Sequence, residues 1–238
     1  MPPSEGHTQA EPPNELGSMA PQTRILITAG PTHEPIDAVR FIGNRSSGRM
    51  GIAIAEAAHA KGCATTLLLG PVSQQPPNKL TTLHFQTGTE LQSLLTEQWP
   101  THDILFMAAA VCDFKPESPG TGKWSRSEGP TTLKLTPTPD ILAATAASSA
   151  PHQTLIGFAL EHVSNLQARG EMKLREKGVH AIVANPLETM DSEQVEAMLL
   201  MREQSPVRPE GALSKSDFAA WLIEQALCLH GSRNTTTS

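Results

Sequence analysis

"RILITAG", residues 24–30, is an apolar, β-rich run closed by glycine, and its reading decides the fold. A run that is apolar without alternation suits a strand buried on both faces, the condition of a parallel sheet covered by helices. Similar runs recur outward from it: "CATTLLLGP" (63–71), "LTTLHFQT" (80–87), "HDILFMAAAV" (102–111), "QTLIGFAL" (153–160), "VHAIVAN" (179–185) and a late "VEAMLLM" (195–201). Helical segments separate them. "GRMGIAIAEAAHAKG" (48–62) ends in a Lys-Gly stop, and "TELQSLLTEQW" (89–99) has Thr89 as candidate N-cap. "DILAATAAS" (140–148) is capped by Asp140, and "SNLQARGEMKLREKG" (164–178) carries a costly Gly170. "SKSDFAAWLIEQALCLH" (214–230) opens with Ser214 and Asp217 at capping-box spacing. The alternation predicts a Rossmann-like, three-layer α/β/α fold with a mostly parallel sheet. It breaks once, at "CDFKPESPGTGKWSRSEGP" (112–130) and the alternating "TTLKLTP" (131–137). That break predicts a smaller strand and loop excursion after the fourth strand.

The 238 residues fit one large α/β domain, assigned to 24–230. Residues 1–23 are rich in Pro, Glu, Gln and Ser without apolar period and are expected to be disordered; 231–238 are expected to form a flexible tail. No secretory leader and no run of 18 apolar residues is present, which predicts a cytoplasmic protein with no membrane partner. A net charge of −6 argues against general nucleic-acid binding, so an anionic ligand would need locally placed Lys and Arg. Cys63, Cys112 and Cys228 form no CxxC pair and read as reduced thiols rather than a disulfide framework or a zinc site.

Open parallel sheets bind ligands beyond the carboxyl ends of their strands. The two long polar loops at such ends, 30–48 and 110–130, are therefore the candidate site. The first contains "FIGNRSSGRMG" (41–51), with G-x-x-x-x-G from Gly43 to Gly48. Arg49 and Met50 stand where a P-loop needs lysine and Ser/Thr, so it is not that motif. Ser46, Ser47 and Gly48 precede a helix and form either an anion site on its free N–H groups or a plain Ser47 N-cap. The dinucleotide fingerprint is missing: the first strand is followed by "GPTHEPID" and the second ends "LLLGP". The nine histidines show no zinc-ligand spacing. Lys173 and Lys177 share a helix face, though Glu171 and Glu176 also suit a solvated charged surface. Asp113 is either a turn cap or a ligand to a metal–phosphate complex.

Taken together, "ILITAGPTHEPIDAVRFIGNRSSGRMGIAIAEAA", "AAAVCDFKP", "LKLTPTPDIL", "IGFALE" and "KLREKGVHAIVAN" resemble phosphopantothenoylcysteine synthetase, the ligase of coenzyme A synthesis, over roughly residues 24–230. In many bacteria that ligase is fused to a flavin-dependent decarboxylase; these stretches match the ligase half alone, and a stand-alone ligase is the expectation. The resemblance implies an acyl-nucleotide mechanism with 4′-phosphopantothenate, cysteine and CTP as substrates, Mg2+ as cofactor, and a homodimer. The alternative, favoured by the altered lysine loop, is a weakly active or non-catalytic subunit that docks onto a separately encoded decarboxylase. By residue, Asn44 aligns with the asparagine that holds the acyl-phosphate carbonyl, and Lys123 with a lysine of the mobile loop; both are the expected catalytic groups. Arg40 aligns with an arginine near the substrate phosphate, beside Ser46, Ser47 and Gly48. Ala109, Asp113, the turn Pro139, Asp140, Ile141 and Leu142, Phe158, Lys173 and Lys177 align with nucleotide contacts. The sequence departs from the family at "KWSR" (123–126), "GRMG" (48–51), His180 and Pro186. The expectation that follows is that the Asn44 turn and the Lys123 loop face one shared cavity.

Overall fold

The computed structural model describes residues 22–189 and 192–235. The segment 1–21, expected to be disordered, and 236–238 lie outside the described residues. Gln22 and Thr23, assigned to that tail, are fixed to the domain: the Gln22 carboxamide donates to the Gly62 carbonyl, and Ala64 N–H donates to Thr23 O at 3.0 Å.

Seven strands form the sheet: β1 (Arg24–Ala29), β2 (Ala64–Leu69), β3 (Thr81–His84), β4 (Ile104–Met107), β5 (Thr154–Glu161), β6 (Ala181–Pro186) and β7 (Met198–Met201). Their order is β3-β2-β1-β4-β5-β6-β7, the first six parallel and β7 antiparallel against β6. Winding proceeds outward from β1 and then restarts at β4 on its other side, so the topological switch point lies between these two strands.

Five helices cover the sheet: α1 (Arg49–Ala60), α2 (Gly88–Gln98), α3 (Ile141–Ala147), α4 (Leu166–Glu176) and α5 (Lys215–Thr235). The strands alternate between two cores. Ile25, Ile27, Ile104 and Phe106 pack with Ile52, Ala55, Phe218 and Leu222 of α1 and α5. Leu26, Leu105 and Leu155 point the other way, onto Leu91, Leu95, Ile141 and Leu174 of α2, α3 and α4. Each fully buried side chain of this size contributes about 1.5–3 kcal/mol. This is the expected three-layer α/β/α architecture.

Two glycines explain the helix packing. A Cβ on Gly51 would lie 2.5 Å from Ala29 Cβ and 3.0 Å from Thr28 O, so α1 can rest on β1 only with glycine there. Gly170 looks costly in isolation, about 1 kcal/mol against alanine. A Cβ at that position would meet Leu200 Cδ1 at 2.4 Å and Ala184 Cβ at 3.3 Å, so the residue lets α4 approach β6 and β7 closely.

Three local expectations change. The N-cap of α2 is Thr87, whose hydroxyl accepts from Glu90 N–H at 3.2 Å, rather than Thr89. The flexible tail assigned to 231–238 is helical to Thr235, because Arg233 Nη2 donates to Pro151 O at 3.0 Å and ties the last turn to the body. The exposed strand expected at 131–137 is confined to Leu135–Pro137, paired antiparallel with Phe114–Pro116. A second ribbon joins His33–Pro35 to Phe41–Gly43, within a stretch that reads as loop from sequence. Val39, Phe41, Phe114 and Leu135, on or beside these ribbons, are 46–61% exposed despite being apolar.

Candidate functional site

At the switch point the chain segments leaving β1 and β4 stay joined beyond the sheet. Ala109 N–H donates to Thr28 Oγ1 at 3.0 Å, and Ala110 N–H to Gly30 O at 2.9 Å. Thr32 N–H donates to Ala110 O at 3.1 Å, and Cys112 N–H to Thr32 Oγ1 at 3.0 Å. These bonds hold the two polar loops side by side. Against them opens a cleft of about 270 Å³, floored by Ala108–Ala110 and walled by Ser46–Gly51, Phe158–Leu160, Asn185, Pro186, Val195 and Lys215.

The cleft end of α1 has no side-chain cap. Its N-cap is Gly48, in the left-handed region at φ 72°, where a Cβ would come within 2.9 Å of Val72 Cγ1. Only glycine accepts that backbone and that contact, which excludes the plain Ser47 N-cap. Gly48–Gly51 line the cleft, so the amino end of α1 and its positive dipole end face the cavity, with no acidic residue in the first turn to offset them. Arg45, Arg49 and Lys215 add three cations, and among the described residues no carboxylate lines the cleft. Phe158 and the alanines supply the apolar part of the lining.

Asn44 stands beside this cleft. Its Nδ2 donates to Val111 O at 3.0 Å, bridging the two loops at the turn before α1. Lys123 does not join it. With Arg40, Trp124, Ser125, Arg126 and Ser127 it lines a separate, open groove, so the expected shared cavity is not formed. The cause is Asp37, which is 4% exposed. One carboxylate oxygen accepts from Val39 N–H and Arg40 N–H, both at 2.8 Å. The other accepts from Trp124 N–H at 3.1 Å and meets Arg40 Nη1 at 3.3 Å, while Arg40 Nη2 donates to Trp124 O at 2.8 Å. The lysine loop is thereby docked on the tip of the 33–43 ribbon. Asn44 lies four residues on from Arg40, about 13 Å of extended chain. Burial by its own loop pushes the Asp37 carboxyl up, but the three N–H donors and Arg40 outweigh it and hold it below the usual carboxylate range.

The remaining expected residues divide. Ala109 and Phe158 line the cleft. Lys173 Nζ pairs with Glu161 Oε1 at 2.8 Å, and Lys177 Nζ bonds the Asp140 carboxylate; neither lysine lines the cavity. Asp140 caps α3 by accepting from Ala143 N–H at 3.0 Å. Burial raises its carboxyl, but Lys177 and that N–H prevail and lower it. Pro139 is exposed, Ile141 is buried in the core, and Leu142 packs on Gly157. Asp113 is exposed, and among the described residues no group of three His, Cys, Asp or Glu could hold a metal. That donor set suits only an ion arriving on a ligand's phosphates. His180 lies at the amino end of β6, away from the cleft. Its Nδ1 accepts from Leu155 N–H at 2.9 Å, and burial, with Arg233 and Arg202 nearby, pushes its pKa down to about 4. Sequence reading passed over Lys215 and Asp37 entirely.

Fold and cleft together define a doubly wound α/β domain with a cationic cleft at its switch point. Residues 20–229 match the family model described as the DNA/pantothenate metabolism flavoprotein C-terminal domain, and the chain belongs to this family. Among curated relatives, it is 42% identical over 165 residues (69% of this chain, 46% of the relative) to a protein named cysteine/cysteine sulfinic acid decarboxylase from an unknown prokaryotic organism. It is 37% identical over 164 residues (68% and 41%) to the coenzyme A biosynthesis bifunctional protein CoaBC of Vibrio cholerae. It thus spans less than half the length of the curated relatives it matches. Among solved structures, the C-terminal domain of a CoaBC protein superposes with a TM-score of 0.72 at 33% identity, covering 85% of this chain and 93% of that one. A mutant Cab2 in complex with phosphopantothenate-cysteine has the same fold, with a TM-score of 0.75 at 23% identity and coverage of 90% and 88%.

Among the described residues no helix is long and apolar enough to cross a membrane.

Proposed function

We propose that this chain is a phosphopantothenate–cysteine ligase of coenzyme A biosynthesis that uses CTP. The observation that carries the reading is the carboxylate-free, cationic cleft beside Asn44, in a domain 33% identical to the CoaBC C-terminal domain. The phosphopantothenate carboxylate attacks the α-phosphorus of CTP, forming a C–O–P bond and expelling pyrophosphate. The cysteine amine, having lost its proton to solvent, then attacks the acyl carbonyl; the C–O bond breaks and CMP leaves. Negative charge builds on the phosphates and, in the second step, on the carbonyl oxygen, so preorganised donors matter most. One Asn44 N–H is fixed on Val111 O, which orients the carboxamide and leaves the second N–H for the acyl carbonyl. Any Mg2+ would travel on the triphosphate, with Asp113 as its one protein candidate, and would neutralise phosphate charge.

The separate groove gives Lys123 a different task from the expected one. Substrate phosphate and carboxylate lie at opposite ends of an extended chain. We assign the phosphate to Arg40, Lys123 and Arg126, which line one groove, and the carboxylate to Asn44, reached along the ribbon. Ala109, Phe158 and the Pro139–Leu142 turn form the nucleoside side. Lys173 and Lys177, held by Glu161 and Asp140, shape that side rather than the phosphate end. The exposed Val39, Phe41, Phe114 and Leu135 are the surface on which a second copy would pack.

A second reading, a weakly active partner of a separate decarboxylase, is favoured by Ser125 in "KWSR" and by the name of the 42% identical relative. One assay separates them. The ligase releases pyrophosphate from CTP only when phosphopantothenate is present, and CMP only after cysteine is added; no release under any combination would leave the partner reading.

A further inference from the structure

The cleft holds more positive charge than the mechanism above has used. Arg49 and Lys215 are the first residues of α1 and α5, two helices that pack against each other, and both line the cavity. A cation at a helix N-terminus opposes the helix dipole, and here two do so around one space. What holds them is slight. Arg49 Nη1 meets Glu193 Oε1 at 3.1 Å, with the two side chains 51% and 87% exposed; such surface pairs contribute little. Lys215 Nζ donates to the Ser192 carbonyl, which balances no charge. Lys173, by contrast, pairs at 2.8 Å with Glu161, whose side chain is only 19% exposed. The weakly held cations are those that face the cavity, and their two partners are consecutive in the chain.

We propose that Lys215 and Arg49 form the phosphate-binding end of the cleft, receiving the terminal phosphates of the nucleotide, and that the ligand displaces Glu193 and the Ser192 carbonyl as it enters. This deepens, and rests on, the triphosphate reading of the site. Glu193 then acts as a weak internal competitor that occupies Arg49 until a stronger anion arrives.

The test is calorimetric titration of the full chain with inorganic tripolyphosphate, CTP and CMP, for wild type, Lys215→Gln, Lys215→Arg and Glu193→Gln. A charge-assisted contact of this kind corresponds to about ten-fold or more in affinity. Lys215→Gln is expected to weaken tripolyphosphate and CTP by that factor while leaving CMP within about two-fold, and Lys215→Arg to retain most of the wild-type affinity. Glu193→Gln, which frees Arg49, is expected to tighten both polyphosphates. Unchanged polyphosphate affinity in Lys215→Gln would overturn the inference, as would weaker binding in Glu193→Gln, or a wild type that binds no tripolyphosphate. If Lys215→Gln does not fold, the sign of the Glu193→Gln effect decides. A wild type that binds tripolyphosphate but not CTP removes the CTP ligase reading alone; the anion site stands if Lys215→Gln still weakens tripolyphosphate.

Discussion

At the scale of single residues, the proposed ligase chemistry rests on Asn44. Its bond to Val111 O spans the loops after β1 and β4, so the side chain is both a tie and a donor. On the proposed mechanism, Asn44→Asp would set a carboxylate beside an anionic intermediate and remove the N–H proposed to bind its carbonyl. Loss of one such donor lowers kcat by about 10²–10³. Because Asn44 is exposed, the melting temperature should stay close to wild type. Turnover at the wild-type rate would remove this role. The glycine and serine run was legible in the sequence because small residues at a strand-to-helix turn have few other uses. Whether Ser47 capped the helix was not, since Gly48 takes that position only because Val72 approaches from another strand's end. Lys215 left no signal at all: its place in the cleft is set by how α5 packs on α1, some 165 residues apart in the chain.

At the scale of elements, the ribbon and the lysine loop behave as one unit fastened by Asp37. The strands, helices and long excursion could be read from apolar runs, caps and a Pro/Gly-rich break. The ribbon could not, because three-residue strands with exposed faces carry no period. Its turn depends on a single carboxylate collecting N–H groups from two distant segments. Asp37→Ala should undock the loop: trypsin should cut at Lys123 and Arg126 several-fold faster, and Trp124 emission should shift to the red. Unchanged cleavage would mean that other contacts hold the loop. The pH dependence follows the lowered carboxyl pKa. Asp37 is charged in both folded and unfolded chains above the ordinary carboxylate value of about 3.9, so its contribution is complete there. Below that ordinary value the contribution declines progressively, and it is gone once pH has fallen through the lower folded value. Docking should therefore be constant from neutral pH down to the ordinary carboxylate value and weaken progressively below it.

The whole molecule opens its cationic cleft at one end of a parallel sheet and leaves apolar side chains of two ribbons in solvent. Exposed side chains grouped as Val39, Phe41, Phe114 and Leu135 mark an association surface more often than a monomer's face. Wild-type protein should sediment as a dimer, and Phe114→Glu should shift it to monomer while the far-UV spectrum stays the same. A wild-type monomer at all concentrations would contradict this. The parallel, helix-covered sheet could be read from the sequence pattern, because strands joined by helices run parallel, and ligands of such sheets gather at the carboxyl ends of the strands; the order of the strands could not. Nor could the separation of Lys123 from Asn44, because it depends on where a long loop lands. The most direct measurement of the central claim is isotopic. Phosphopantothenate labelled with ¹⁸O in its carboxylate, turned over with CTP and cysteine, should deliver one labelled oxygen to the phosphate of CMP. Label found in inorganic phosphate or pyrophosphate, or wholly absent from CMP, would contradict an acyl-nucleotide intermediate.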